Sequence, residues 1–134
     1  MTTTIIGHII TVLNLTNNKI DTKGRRIMCI YGYCRISTKQ QSIERQIRNI
    51  KTEYNTAVIV TEAYSGTTLN RPEWNKLYKK IKEGDTIIFD SVSRMSRDAD
   101  EGFLLYEELY NKGIELVFLK EPHINTATYK KALQ

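Results

Sequence analysis

The sequence predicts an α/β fold in which helices cover both faces of a doubly wound, mainly parallel sheet. Two observations carry this prediction. Short apolar runs rich in β-branched and aromatic residues alternate with segments of helical periodicity. Such alternation predicts helices that cross over between parallel strands. In addition, a chain of 134 residues fits a single domain.

Four short apolar runs are predicted to be the strands of this sheet. They are β-branched or aromatic in character, and their length suits strands buried inside a parallel sheet. They cover residues 28–34, 57–64, 86–92 and 114–120.

Three segments between these runs are predicted to be helices, and they cover residues 39–54, 71–84 and 98–113. The first repeats isoleucine and tyrosine at spacings of four, three and four residues, which form one helical face. The second has Pro72 near its start and Gly84 at its end, the arrangement expected of helix termini. The third has acidic residues in its first turn and Gly113 after its last.

We expect residues 1–27 to form an N-terminal extension outside the domain, which would then cover residues 28–134. The apolar stretch IIGHIITVLNL is followed there by the polar, linker-like TNNKIDTKGRR. The peptide KGRRIM can also be encoded by purine-rich codons that resemble a bacterial ribosome-binding sequence before a methionine codon. The alternative is that this segment adds a genuine strand and loop to the fold.

The composition is that of an ordinary globular protein with a small basic excess. Apolar residues make up 40% of the chain, charged residues make up 26%, and the formal net charge is +5. The positive balance favours an anionic partner without identifying one. The apolar stretch near the start is too short to cross a bilayer, which takes about 20 residues. Two cysteines without a CxxC pair fit a reducing compartment, so a cytoplasmic protein with no membrane partner is predicted.

Polar residues with chemical functions follow each of the first three predicted strands. In a parallel sheet the carboxyl ends of the strands meet at one edge, here called the carboxyl edge, and ligands bind beyond it. The residues predicted to meet there are Arg35, Ser37, Glu62, Ser65, Gly66, Arg71, Ser93, Arg94 and Arg97.

This set of residues is suited to the transfer of a phosphoryl group to a serine. Guanidinium groups bind phosphate with paired hydrogen bonds and neutralise the charge that develops on its oxygens. Ser37 lies two residues after Arg35 and is the candidate nucleophile.

Each residue taken alone has a simpler interpretation. Ser37 could cap the helix that follows it. Arg94 and Arg97 could be solvated surface residues. Glu62 could form an ion pair with a nearby lysine, which would contribute little to stability. Only their common position at one edge favours the functional interpretation.

Several stretches together resemble the catalytic domain of the serine recombinases, the family of resolvases and DNA invertases. They are YGYCRIST followed by QQSIERQI, then TEAYSG with Arg71, and GDTIIFDSVSRMSR. The resemblance covers residues 28–134. It implies an enzyme that cleaves and rejoins DNA strands during site-specific recombination.

The resemblance also implies a mechanism and a role for each residue of the carboxyl edge. Ser37 would attack a DNA phosphodiester and form a 5′-phosphoserine intermediate, and strand exchange and religation would follow. The other catalytic residues implied are Arg35, Arg71, Arg94, Arg97 and the acidic Glu62. Residues implied to bind phosphate or to support the site are Tyr33, Gln46, Ser65 and Ser93. The implied partners are double-stranded DNA and further subunits, as a homodimer or tetramer of the full-length protein, with no cofactor and no metal.

Two departures from the family pattern leave an alternative open. Ser93 stands where the family commonly has an aspartate. The sequence also ends before the family's long helix and DNA-binding domain, so a C-terminally truncated catalytic domain is expected. The alternative is a catalytically impaired, recombinase-like module for DNA binding or oligomerisation. A flavodoxin-like phosphate binder is disfavoured because no glycine-rich loop follows the first predicted strand.

Overall fold

A parallel sheet of four strands in the order β2-β1-β3-β4 forms the centre of the fold. The structure is a computed structural model, and it describes residues 20–36, 42–63 and 71–133. The strands are β1 (Ile30–Arg35), β2 (Val58–Glu62), β3 (Thr86–Phe89) and β4 (Glu115–Phe118). This arrangement confirms the predicted α/β fold class.

The described helices follow the strands in chain order. They are α1 (Ile43–Glu53), α2 (Pro72–Lys80), α3 (Val92–Met95), α4 (Ala99–Asn111) and α5 (Thr126–Leu133). A short 3-10 helix, Pro122–Ile124, lies between β4 and α5.

Side chains alternate between the two faces of the sheet, as the two-residue period of a strand requires. On one face Tyr33, Phe89 and Phe118 are fully buried, together with Leu77 of α2 and Leu109 of α4. The opposite face packs against α1 and buries Cys34, Ile50, Ala57, Ile88 and Val117. The sheet therefore has an apolar core on each side, which is why its strands read as continuous apolar runs.

Gly32 allows α1 to lie close to the sheet. A Cβ atom at this position would come within 2.9 Å of Ile50 Cγ2 and of Ile59 Cδ1. Such contacts are shorter than normal packing permits, so the absence of a side chain at Gly32 sets the distance between β1 and α1.

Two of the predicted element boundaries were wrong. The second predicted helix ends at Lys80 rather than Gly84, because Ile81 adopts extended backbone angles (φ −68°, ψ 146°). Gly84 instead has φ +91° in the turn before β3, a conformation that glycine adopts without strain. The third predicted strand ends at Phe89, and the separate one-turn helix α3 follows it.

The described part of the predicted extension contacts the domain. Ile20 and Arg26 form an antiparallel bridge, and Arg26 Nη2 lies 2.8 Å from both carboxylate oxygens of Asp85. The domain boundary at Met28 stays a prediction. Within the described ranges, no helix combines the length and apolar character needed to span a bilayer.

Candidate active site at the carboxyl edge

β1 and β2 end side by side and bring Arg35 next to Glu62. The two residues are register partners at the last position of the parallel pair, so their side chains start on the same face of the sheet. Glu62 is 5% exposed, whereas Arg35 is partly exposed at the edge. The prediction that these two strand ends carry neighbouring functional groups agrees with this geometry.

Gln46 of α1 fixes the backbone at the end of β1. Its Oε1 atom accepts a hydrogen bond from the Arg35 N–H at 3.1 Å. Its Nε2 atom donates to the Arg35 carbonyl at 2.7 Å. The amide therefore satisfies both backbone groups of Arg35, and Gln46 is itself buried. This contact fixes the backbone at the last residue of β1.

The guanidinium group of Arg35 reaches across the edge to α3. Arg35 Nε donates to the Arg94 carbonyl at 3.0 Å, and Arg35 Nη2 donates to the Ser93 carbonyl at 2.8 Å. These bonds use only part of the donor capacity of a guanidinium.

Arg71, the residue directly before α2, also binds the carbonyl groups of α3. Its Nη1 atom donates to the Met95 carbonyl at 2.7 Å and its Nη2 atom to the Arg94 carbonyl at 3.2 Å. Its Nε atom donates to the hydroxyl of Tyr33 at 3.2 Å. The guanidinium also lies 5.1 Å from the ring centroids of Tyr33 and Trp74, a favourable cation–π arrangement. The buried Tyr33 therefore contacts the Arg71 guanidinium twice, through its aromatic ring and through its hydroxyl oxygen.

The carboxyl edge concentrates positive charge. Burial lowers the pKa of Arg35 from its ordinary value, and the positive charge of Arg71 lowers it further. Arg97 and Arg94 act in the same direction. The positive charges of Arg71, Arg94 and Arg97 therefore all act on Arg35, and an anion bound beside Arg35 would relieve that repulsion.

Glu62 supports the cluster through helix α2. Its Oε2 atom accepts a hydrogen bond from the Trp74 N–H at 3.2 Å, so the carboxylate caps the first turn of the helix that Arg71 precedes. Burial raises the pKa of Glu62, and the bond from Trp74 partly opposes this shift. In this structure Glu62 holds the start of α2 and thereby the position of Arg71.

The remaining predicted residues divide into exposed and undescribed ones. Ser93 and Arg97 are exposed, and the Ser93 hydroxyl oxygen lies 2.8 Å from that of Ser91. Ser37, Ser65 and Gly66 lie outside the described residues, so their predicted positions and roles stay predictions.

Comparison with known proteins identifies the family of this chain. The family described as "Resolvase, N terminal domain" matches residues 30–134. The chain belongs to the resolvase family. A "Resolvase/recombinase" of Pseudomonas putida is 35% identical over 95 residues, which are 70% of this chain and 52% of that protein. The "Transposon Tn501 resolvase" of Pseudomonas aeruginosa is 32% identical over 99 residues, with 74% and 49% of the two chains covered.

Solved structures of the resolvase family share the fold. A resolvase family site-specific recombinase from Streptococcus pneumoniae has a TM-score of 0.58 at 19% identity, covering 80% of this chain and 81% of its own. The C-terminal catalytic domain of ISC1926 TnpA, an IS607-like serine recombinase, has a TM-score of 0.54 at 22% identity, covering 79% and 78%. The chain spans about half the length of the curated resolvases it matches.

The sequence interpretation of this resolvase-family site missed two features of it. The carbonyl groups of α3, which accept hydrogen bonds from Arg35 and Arg71, were not predicted to belong to the site. Glu121, which follows β4 and contacts α3, was not considered either. The rule that polar residues beyond strand ends meet at one edge would have included Glu121 had it been applied to the fourth strand.

Proposed function

We propose that this chain is the catalytic domain of a site-specific DNA recombinase in which Ser37 is the nucleophile. The observation that carries this proposal is the convergence of Arg35 and Arg71 on helix α3. Arg35 is the last residue of β1 and precedes Ser37 by two positions, in a chain of the resolvase family.

The proposed reaction exchanges one phosphate ester for another. The Ser37 hydroxyl oxygen attacks the phosphorus of a DNA phosphodiester and loses its proton. The bond from phosphorus to the 3′ oxygen breaks, and that oxygen gains a proton. The products are a 5′-phosphoserine link and a free 3′-hydroxyl. Attack by the 3′-hydroxyl of a second DNA end on the phosphoserine reverses these changes, so strands are religated without loss of the ester bond.

The arginines would bind the phosphate and stabilise its transition state. Arg35, Arg71, Arg94 and Arg97 supply fixed positive charge where negative charge develops on the phosphate oxygens. Guanidinium groups suit this role because they remain charged and donate paired hydrogen bonds. An incoming phosphate would accept hydrogen bonds that supplement or replace those now made to the α3 carbonyls.

The other predicted residues would hold this array in place. Tyr33 supports the Arg71 guanidinium, Glu62 caps the helix after Arg71, and Gln46 fixes the backbone of Arg35. Ser65 and Ser93 are proposed as further contacts to the DNA phosphate. For the whole protein we propose double-stranded DNA as substrate and assembly into a homodimer or tetramer.

One observation favours a second candidate, a catalytically impaired module that binds DNA or other subunits. Ser93 occupies a position where the resemblance leads one to expect aspartate, and its hydroxyl contacts Ser91. A serine there provides no negative charge to orient an arginine.

The proposal is tested with a chimera that joins this chain to the remaining half of the Pseudomonas aeruginosa Tn501 resolvase. The substrate is that resolvase's own DNA site with one strand interrupted, so that a cleaved strand cannot be religated. We expect a covalent protein–DNA adduct on a denaturing gel. Ser37→Ala should abolish the adduct and leave DNA binding nearly unchanged, since one hydroxyl adds little to a site of arginines.

The matched control is Ser42→Ala, which removes an exposed hydroxyl directly before α1 that makes no capping hydrogen bond. This variant should form the adduct at the rate of the unmodified chimera. An adduct that persists in Ser37→Ala would exclude Ser37 as nucleophile. A folded, DNA-binding chimera that forms no adduct would favour the impaired module.

A further inference from the structure

Helix α3 holds the guanidinium groups of both central arginines by its backbone. Its carbonyl groups at Ser93, Arg94 and Met95 accept four hydrogen bonds, two from Arg35 and two from Arg71. The direction of these carbonyls therefore sets the direction of both guanidinium groups.

A helix of this length has little stability of its own. It contains four residues, closed by hydrogen bonds from Ser96 N–H to the Val92 carbonyl at 3.2 Å and from Arg94 N–H to the Ser91 carbonyl at 3.0 Å. A single turn fixes several dihedral angles for few hydrogen bonds, so it is unfavourable in isolation. Contacts from outside α3 must hold it in place.

Glu121 provides such a contact at the start of α3. Both of its carboxylate oxygens accept a hydrogen bond from the Val92 N–H, at 3.1 and 3.2 Å. Glu121 is in turn anchored after β4, where its N–H donates to the Phe118 carbonyl at 3.2 Å. Its own carbonyl accepts from the Ile124 N–H at 3.0 Å in the 3-10 helix.

We propose that Glu121 is a positioning residue for the arginine site. Its carboxylate holds the Val92 N–H, which orients α3, and the α3 carbonyls then orient the guanidinium groups of Arg35 and Arg71. The consequence for DNA cleavage rests on the proposed function, whereas the effect on the arginines does not.

Four single-residue variants of the full 134-residue protein test this series of contacts. Glu121→Ala removes the acceptor, and Glu121→Gln keeps one oxygen that can accept from Val92. Glu107→Ala, on the exposed face of α4, is the matched control for loss of one negative charge. Val92→Pro removes the donor, and proline is well tolerated as the first residue of a helix. The preceding Ser91 is already extended (φ −150°, ψ 165°), as a residue before proline prefers to be.

The first measurement is hydrogen exchange of arginine Nε–H groups by NMR, on the chain without DNA. In Glu121→Ala the Nε–H of Arg35, which donates to the Arg94 carbonyl, should exchange about tenfold faster, since a hydrogen bond of about 1.4 kcal/mol is loosened. Glu121→Gln should restore most of the protection, and Glu107→Ala should change nothing. The Nε–H of Arg25, bonded to Asp21 at 2.9 Å, is an internal reference that should stay constant in all variants.

The second measurement is a double-mutant comparison. If Glu121 acts through the Val92 N–H, adding Glu121→Ala to Val92→Pro should not accelerate Arg35 exchange further. Unchanged Arg35 exchange in Glu121→Ala, or fully additive effects of the two substitutions, would overturn the proposal.

The third measurement is adduct formation in the chimera described above. Glu121→Ala should slow the adduct about tenfold without a comparable loss of DNA binding, and Glu121→Gln should recover most of the rate. A chimera in which no version forms an adduct counts against the proposed function, and the exchange measurements then decide on Glu121 by themselves. Faster Arg35 exchange with an unchanged adduct rate would overturn the catalytic consequence.

Discussion

Two charged clusters at opposite edges of the sheet, Arg26 with Asp85 and Arg35 with Arg71, differ in how their charges are balanced. At the edge where the strands begin, here called the amino edge, the fully buried Asp85 is paired with a full positive charge. Arg26 Nη2 lies 2.8 Å from each of its carboxylate oxygens. The N–H groups of Cys29 and Lys82 add two hydrogen bonds at 2.9 Å. At the carboxyl edge Arg35 and Arg71 bind backbone carbonyls, which carry only partial charges.

This difference is the one expected between a structural ion pair and the phosphate site that we propose. A buried carboxylate must keep its partners, because losing one leaves an uncompensated charge in the interior. Arginines that bind carbonyls remain positively charged as a group, and they can exchange or add an anionic acceptor at small cost. The amino edge is therefore expected to contribute stability, and the carboxyl edge to contribute binding and chemistry.

The largest expected effect is at the amino edge. Arg26→Ala removes the positive charge that pairs with the buried Asp85 and leaves two backbone N–H groups as its partners among the described residues. Because Arg26 is itself partly exposed, we expect a loss at the low end for a broken buried pair, about 3 kcal/mol in the free energy of unfolding. Urea denaturation of the full chain measures this loss. The result would also show whether a residue of the predicted N-terminal extension contributes to the stability of the domain.

Two further substitutions serve as controls for that loss of stability. Arg25→Ala removes an exposed ion pair with Asp21 and should cost less than about 1 kcal/mol. Arg97→Ala, at the carboxyl edge, should change stability by less than about 0.5 kcal/mol, because it removes an exposed arginine that repels its neighbours. Equal losses for Arg26→Ala and Arg97→Ala would contradict the contrast between the edges.

An intermediate effect, on the rate of adduct formation, is expected when Ser93 is replaced by an acidic residue. Ser93→Asp supplies a full negative charge beside Arg94, where it can orient a guanidinium. We expect adduct formation in the chimera to accelerate about tenfold, which corresponds to about 1.4 kcal/mol in the activation barrier. DNA binding should stay equal or weaken slightly, since the new charge faces the phosphate. A rate that is flat or reduced would mean that this site operates with serine.

The smallest expected effect concerns Glu62 and depends on pH. Because burial raises its pKa in the folded state, ionised Glu62 costs stability at neutral pH. Glu62→Gln keeps an acceptor for the Trp74 N–H and removes that cost, so the variant should be the more stable chain at pH 7. The difference should shrink as pH falls through the folded-state pKa and vanish below the unfolded value of about 4.3.

Urea denaturation of both chains between pH 7 and pH 3 measures this dependence. A difference that grows as the pH falls would show that the ionised carboxylate stabilises the fold, for instance by attraction to Arg71. Like Asp85, Glu62 would then stabilise the fold in its ionised form, and the contrast between the two edges would be weaker.

The sequence by itself determined the fold class and most of the residues at the carboxyl edge. Alternation of apolar runs with helical periodicity is a local signal, and it predicted four strands and the helices between them. Because parallel strands end at one edge, the positions of Arg35, Glu62 and Arg94 after their strands were enough to predict that they are neighbours. The motifs around Ser37 added the resemblance to the serine recombinases, and the family comparison confirmed it.

Only the tertiary structure decided how these residues are held. Helix α3 is one turn long, too short for a periodic pattern, so its carbonyls gave no signal as partners of Arg35 and Arg71. The pairing of Arg26 with Asp85 joins residues 59 positions apart, and no local pattern predicts such a contact. Glu121 reaches Val92 across 29 positions. These contacts depend on the distance and direction between packed elements, and local sequence periodicity carries neither.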